Sequence, residues 1–362
     1  MRKIFFVIPA LFGILVYGAD KNIEKVDKKI EDGVEVILNY LEPYKIKNVS
    51  TKMTLQEEFS IDTEFFEDEA ISSVGGIEAD DEGNIYVSET KINKVLVFDR
   101  NGKYLRSIGK KGEGPGEFRS LSKININSSG ELITWDTLSM KFSFFKKDEA
   151  LLKERKLTLT ERILPDSYLL ENGNYIFSIH SFDPNANYMY IGLSLYDSEF
   201  HKIKDLNGKV EIPNPLKNIK IKGVEVSVFS KTQKNKIIIG NNQKDVYEIE
   251  LYDLNGKLLK KIRKEYKRVS PTEEYKKKFL ELFKSPIFDQ IRGRIYFPDH
   301  LPPYHNIFSD EEGRIFVETY EKGEKEGEVI FDIFTPEGVF ISRKSLKKFQ
   351  TGIFAYSDES GH

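Results

Sequence analysis

No cysteine occurs in the 362 residues, which removes disulfides, thiolate metal sites, a cysteine nucleophile and a lipid-modified N-terminal Cys together. Histidine is nearly as scarce: His180, His201, His300, His305 and His362 are the whole set, and Trp135 is the single tryptophan. An excess of either charge is also missing, because 55 basic side chains face 58 acidic ones for a net charge of -3. A nucleic-acid surface needs basic residues gathered in one place, so no nucleic-acid partner is expected. Neither a Gly-x-Ser-x-Gly elbow nor a His-Glu-x-x-His pair is present, so two common hydrolytic motifs are excluded. Long hydrophobic runs are lacking everywhere except near the start.

That exception is Met1-Arg2-Lys3 followed by the apolar run Ile4 to Gly18, a basic head and about fifteen apolar residues, too short for a comfortable bilayer crossing. With small residues at Val16 and Gly18 it reads as a signal peptide over 1–18, an uncleaved anchor being the alternative, and it implies export to the periplasm, cell surface or medium. Residues 19–48 form an N-terminal arm, either a short helix over Ile23 to Lys29 or an extended segment around Val34-Glu35-Val36. An exported chain without disulfides depends on core burial and strand pairing, for which its length suffices.

What is present in quantity is one phrase. Asp80-Asp81-Glu82-Gly83-Asn84-Ile85-Tyr86-Val87 returns in altered form at Asn127 to Ile133, Glu171 to Phe177, Lys234 to Ile239, Asp310 to Val317 and Asp358 to His362. In the clearest copy Ser72 to Ala79, Asn84 to Glu89, Lys94 to Asp99 and Tyr104 to Ile108 are four strands. Arg100-Asn101-Gly102-Lys103 joins the last two, Asn-Gly supplying the positive φ angles that suit a hairpin, and Asn255-Gly256 and Glu337-Gly338 repeat it. Four antiparallel strands per unit of about forty residues predict a β-propeller over 49–362, monomeric and all-β. Five units are whole and a sixth has only begun at His362, which reads as a six-bladed ring incomplete at its C-terminus. Met53 to Ile61 alternates apolar and polar residues where a propeller closes its ring. The two widest gaps hold inserts: Asn207 to Lys222, and a helical insert over 270–292 opened by the capping box Ser270-Pro271-Thr272-Glu273.

The run Gly83 to Val87, Lys94 to Asp99 and Gly102 to Gly109, ending in Gly112-Glu113-Gly114-Pro115-Gly116-Glu117-Phe118, resembles the NHL repeat, as found in exported bacterial six-bladed β-propellers of the NHL/TolB-like kind. Phe297 to Tyr304 is similar to the same proteins. The resemblance implies a fold and an exported address; most of those proteins have no established activity. Some NHL-type propellers are zinc lyases and related ones calcium lactonases. A metal-assisted lyase or lactonase-type hydrolase at the central channel is therefore the alternative function, with His180 and His305 as its metal ligands.

The residues themselves favour a binding module with no catalytic constellation and no cofactor. Acidic turns at Asp80 and Asp310 lack the Asp-x-Asp-x-Asp spacing of a calcium loop, and the glycines at 112–116 lack the Lys-Ser/Thr of a phosphate loop. Position says more. First-to-second and third-to-fourth turns fall on one face of a propeller and are minimal here, whereas the long connections share the opposite face, where binding residues collect on a rigid scaffold. Arg119, Asp136, Asp183, Asn185, Tyr304 and His305 are the ligand-binding candidates on that face; whether the ligand is protein, glycan or small molecule is left open.

Overall fold

The computed structural model describes residues 3–6, 26–45, 59–62 and 71–347, apart from 128, 148, 158–161, 164–166, 182, 207, 215, 226–227, 234 and 311. The repeated phrase folds for a local reason. Asp80 Oδ1 accepts the N–H groups of Glu82 (3.0 Å) and Asn84 (2.9 Å), while Gly83 takes a φ of 82° and donates to the Asp80 carbonyl. The same arrangement closes the hairpins at Asp99, Asn127 and Asp253. Thr335 substitutes a hydroxyl for the carboxylate, and Phe200 accepts φ 65° where other copies have glycine. The signature is thus a side-chain acceptor followed three residues later by a left-handed residue. The expected pair of positive φ angles at Asn101-Gly102 is corrected: Gly102 alone is left-handed, and a register shift between Val97 and Phe98 absorbs the extra residue as a bulge.

Among the described residues five antiparallel blades result, three of four strands and two of that plan with added strands. Blade one is Val74–Ala79, Ile85–Glu89, Lys94–Phe98 and Tyr104–Ile108. Blade two is Leu121–Ile126, Leu132–Asp136, Lys141–Phe145 and Leu151–Lys156. Blade three opens with the split strand Arg162–Ile163 and Tyr168–Leu169, continues with Tyr175–Ser181, Tyr188–Tyr196 and Lys202–Asp205, and adds Val210–Pro213 beside its third strand. Blade four is Val228–Gln233, Lys236–Asn241, Glu248–Asp253 and Leu258–Lys264; blade five is Asn306–Ser309, Ile315–Lys322, Glu328–Phe334 and Phe340–Lys347.

Ile85–Glu89, Leu132–Asp136 and Lys141–Phe145 are buried at every position rather than at alternate ones, because both faces of a blade meet a neighbour. Apolar clusters fill each junction: Tyr86 and Val97 with Phe145 between blades one and two, Trp135 and Phe142 with Phe177 between two and three, Leu195 with Ile237 between three and four, Ile249 with Val317 and Phe334 between four and five. Two further clusters, Ile85, Val87 and Phe98 on blade one and Phe316, Phe331 and Ile333 on blade five, lie on the faces turned away from these junctions. The expected start of a sixth blade at Asp358 lies outside the described residues.

Neighbouring blades are also latched at the rim. Arg106, Arg155 and Lys204, each on a fourth strand, donate to Lys147, Ser198 and Gly256 carbonyls in the third-to-fourth turn of the next blade. Blade four departs from the pattern, and the N-terminal arm explains how. Over its described residues 26–45 the arm is extended: Asp27–Glu31 and Val34–Asn39 form a hairpin on a two-residue turn, Asp32 (φ 49°) and Gly33 (φ 79°), and Val34–Asn39 pairs in parallel with Leu258–Lys264; the start of the expected helix, Ile23 to Lys25, lies outside the described residues. Lys260 is thereby committed to Glu35 (3.0 Å), and buried Asn39 makes the latch instead, donating to the Gly338 carbonyl (3.1 Å) and accepting from Phe340 N–H (2.8 Å). Of the expected signal peptide only Lys3–Phe6 is described, as a strand paired with Phe59–Asp62; this ribbon also holds the described end of the Met53 to Ile61 segment.

Asn39→Ala should destabilise the protein by about 1–3 kcal/mol, since it leaves the buried Gly338 and Phe340 groups without partners; chemical denaturation measures this. Paired with Arg263 and then Lys29, the Glu31 carboxyl is lowered from 4.5 to about 2. A depressed carboxyl contributes stability above its unfolded value and loses it as pH falls. The arm should therefore loosen between pH 4.5 and about 2, seen as loss of amide protection over 27–39 before the blades respond.

Candidate functional site

Connectivity puts every long connection on one face, as expected, and the two inserts there are built into one cap. Ile221–Lys222 of the first pairs in parallel with Ile295–Tyr296 of the second, and the Arg294 guanidinium donates to the Lys217 carbonyl. Gly223 is required at this seam, because a Cβ would stand 2.7 Å from the Phe297 ring. The predicted helix is present as α1, Glu273–Glu281, followed by a 3-10 turn at Pro286–Phe288 and a short helix at Asp289–Arg292. Its cap is Thr272, not Ser270: the Thr272 hydroxyl accepts from Tyr275 N–H at 3.2 Å. Tyr275 and Phe279 then seat the helix, edge-on to Tyr320 of blade five (6.1 Å) and Phe297 (5.9 Å) respectively.

His305 sits where cap and blade meet. Its Nε2 is 2.9 Å from Glu225 Oε2 just after the first insert, its Nδ1 is 3.3 Å from buried Glu318 Oε1 in blade five, and its ring stands at 90° to Tyr320. The Tyr320 hydroxyl is buried with no hydrogen-bond partner among the described residues, and burial, then the nearby Tyr275, Glu225 and Glu318, pushes its pKa well above the ordinary tyrosine value. With a carboxylate at each ring nitrogen, the imidazole bridges cap and blade, and because the two carboxylates lie on opposite nitrogens the three groups do not form a chelate.

The other candidates do not join it. Asp136 is fully buried and organises backbone: its carboxylate accepts N–H groups from Arg119 (2.7 Å), Ser120, Leu138 and Ser139. That placement corrects the ligand-contact expectation for Asp136, whose lone pairs are spent on the chain. The Arg119 side chain is exposed and pairs with Glu113 at 3.4 Å. Asp183 caps its own loop by accepting from Asn185 N–H, and Asn214 holds that loop from the first insert. Tyr304 is likewise corrected to a packing role, fully buried between blades four and five, edge-on to Tyr247 (5.1 Å), its hydroxyl donating to the Glu248 carbonyl. His180 lies half-buried on the second strand of blade three, whereas His305 precedes the first strand of blade five. Among the described residues no group of three or more His, Asp or Glu side chains is arranged to hold a metal ion. The acidic turns have other employment: Asp80 serves its hairpin, and Arg314 engages both Asp310 (2.6 Å) and Glu312 (2.7 Å).

Two polar constellations escaped sequence reasoning. Glu89 ends the second strand of blade one as Asp136 ends that of blade two, and accepts from Ser72, Ser73 and Ile92 N–H groups. The signal was available, since each closes an apolar second strand. Between blades four and five, buried Asp332 meets Lys264 (3.5 Å), Arg343 (2.9 Å) and the Tyr247 hydroxyl (3.1 Å). Burial pushes Asp332 up and Lys264 down, each against the pull of the opposite charge. Asp332 interrupts the run Val329 to Phe334, a mark of a buried charge that needs a distant partner.

Successive four-stranded blades packed face to face, with short turns at one end and long connections at the other, define a β-propeller. The chain belongs to the DUF5128 family, described as a 6-bladed beta-propeller, which it matches over residues 27–330; five blades lie within the described residues. Among solved structures it is similar to a Bacteroides fragilis protein described as exported, at 16% identity and TM-score 0.51 over 86% of this chain and 80% of that one. A DUF4221-family member from Bacteroides vulgatus matches at 11% identity and TM-score 0.47, covering 76% and 81% of the two chains. Virginiamycin B lyase from Staphylococcus aureus, bound to quinupristin, matches at 14% identity and TM-score 0.37, covering 78% and 72%. No curated protein matches. Among the described residues no helix is long and apolar enough to cross a membrane.

Asp136→Ala strands four backbone donors at the blade-two corner and should lower unfolding free energy by roughly 3 kcal/mol, with Asp136→Asn costing less; thermal or urea unfolding distinguishes the two.

Proposed function

We propose that this propeller is an exported binding module that engages a protein partner through its long-connection face. The carrying observation is the distribution of exposed apolar side chains on the connections. Leu138, Tyr188, Leu216, Val246, Leu282 and Tyr296 all project from the long-connection face, and Leu216 is 70% exposed. The other exposed large hydrophobics of the described blades, Ile77, Tyr104, Leu105, Leu152, Ile203 and Leu259, lie along first and fourth strands, and none falls within a short turn. Apolar residues gathered on one end of a rigid scaffold support a contact surface better than the same residues scattered singly. The inter-insert seam and the His305 bridge support it further, because a cap fastened at several points presents such a surface with little ordering cost on binding. The exported address rests on the basic, apolar start of the chain.

Photo-reactive groups placed at Leu216 and Tyr188 should capture one protein partner from the cell envelope, and the capture should fall about tenfold in a Leu216→Asp, Leu282→Asp variant. The same group at Asn101 or Asn255, on the short-turn face, should capture none. Equal labelling from both faces would refute the assignment.

A further inference from the structure

The two inserts of the cap meet in a ribbon whose outward face has a chemistry of its own. Ile221 pairs with Ile295 and Lys222 with Tyr296 in parallel register, and the pairing is extended by Ile221 N–H donating to the Arg294 carbonyl (2.9 Å) and Gly223 N–H to that of Tyr296 (2.7 Å). Side chains alternate across an extended ribbon, so Lys222 and Tyr296 share one face with Lys220 and Arg294, two positions earlier on each segment, while Ile221 and Ile295 share the other. Burial follows that division. Lys220, Lys222 and Tyr296 are exposed, Tyr296 by 46%, whereas Ile221 and Ile295 are half-buried and Gly223 is buried against Phe297.

The charge of the ribbon is of one sign. Residues 216–224 and 290–298 hold Lys217, Lys220, Lys222, Arg292 and Arg294 and no Asp or Glu. Arg292 is matched by Asp289 at 2.8 Å, and the Arg294 guanidinium is fixed by the Gln290 and Lys217 carbonyls. Lys217, Lys220 and Lys222 enter no ion pair among the described residues, although helix α1 of the same cap pairs Lys276 with Glu273 (2.6 Å) and Lys278 with Glu274 (3.4 Å). The hold of Arg294 on Lys217 also brings Leu216, 70% exposed, to the edge of this basic face.

Anionic membranes, acidic glycans and acidic peptides all pair with lysine. A lipid surface is disfavoured because the chain as a whole is net -3 and is repelled outside this patch, while each lysine near such a surface contributes only about 1 kcal/mol. A glycan stacks on Tyr296 but gains nothing from Leu216. A peptide carrying carboxylates and apolar side chains uses both, and the ribbon is fastened before it arrives, which lowers the ordering cost of binding.

We infer that this ribbon binds an acidic peptide segment of the partner, its carboxylates paired with Lys217, Lys220 and Lys222 and its apolar side chains set against Tyr296 and Leu216. The inference rests on the protein-binding reading of this face and adds the chemistry of what binds there. A fluorescein-labelled peptide of Glu-Glu-Leu repeats, titrated with the full chain, should show a saturable rise in anisotropy whose apparent Kd increases with salt. Lys220→Glu, Lys222→Glu should raise that Kd about tenfold, Lys220→Gln, Lys222→Gln by less, and Tyr296→Ser several-fold. All these positions are solvent-exposed, and unchanged circular dichroism verifies the fold. The matching Gln-Gln-Leu peptide should not bind. Absence of saturable binding, a Kd unaltered by charge reversal, equal binding of the glutamine peptide, or stronger retention on phosphatidylglycerol vesicles or alginate than on the peptide each overturns the inference. The two readings fail separately. Undiminished capture of the envelope partner at Leu216 in the charge-reversed variant leaves the protein-binding reading standing and sinks this one, whereas peptide binding as described with no envelope capture does the reverse.

Discussion

Face-to-face burial between blades is the constraint from which the rest follows. A single four-stranded sheet has two apolar faces here, as the unbroken burial of Leu132–Asp136 and Lys141–Phe145 makes plain, and neither can be left to water. At about 25 cal/mol per Å² of apolar surface, each junction outweighs any single latch or cap by a wide margin. That explains a division of labour: junction aromatics such as Phe142, stacked at 4.4 Å on Trp135, hold the blades, while polar groups decide register and orientation. It also explains why clusters on blades one and five face outward in the manner expected of a six-bladed family, since those faces carry the same apolar equipment as the internal ones.

Polar groups inside such a stack are tolerated only where partners converge. Asp332 illustrates the condition, being 1% exposed yet in reach of Lys264 and Arg343 from two different strands and of the hydroxyl of Tyr247, which precedes a third. Such a network contributes little net stability over a hydrophobic replacement, but removing one partner strands the others. Glu89 and Asp136 solve the same problem with backbone donors. Their carboxylates fix where the chain enters a blade, which in turn fixes how the long connections leave it.

Local features were legible in the sequence and distant ones were not. The hairpins could be read because the acceptor at Asp80 and the left-handed residue at Gly83 are three positions apart. Helix α1 could be read from its spacing, although the cap fell at Thr272 because its hydroxyl, not that of Ser270, reaches the first turn. Asn39 gave no signal, since its partners Gly338 and Phe340 are some three hundred positions away. Tyr304 and Asp136 misled for a related reason: a polar residue beside a long loop looks like a ligand contact until a junction or a backbone turn is found to consume it. Of the proposed site, the face was readable from loop lengths alone. The meeting of His305 with Glu225 was not, because it joins segments about eighty residues apart.

The arm adds a matter of timing. Val34–Asn39 is synthesised more than two hundred residues ahead of its docking strand at Leu258–Lys264 and about three hundred ahead of its latch at Gly338. Three complete blades emerge while the hairpin has nothing to rest on, and loop closure over so long a stretch is slow. The charged strand Asp27–Glu31 at its outer edge then serves a transient purpose, keeping an unseated ribbon from pairing with another newly made chain.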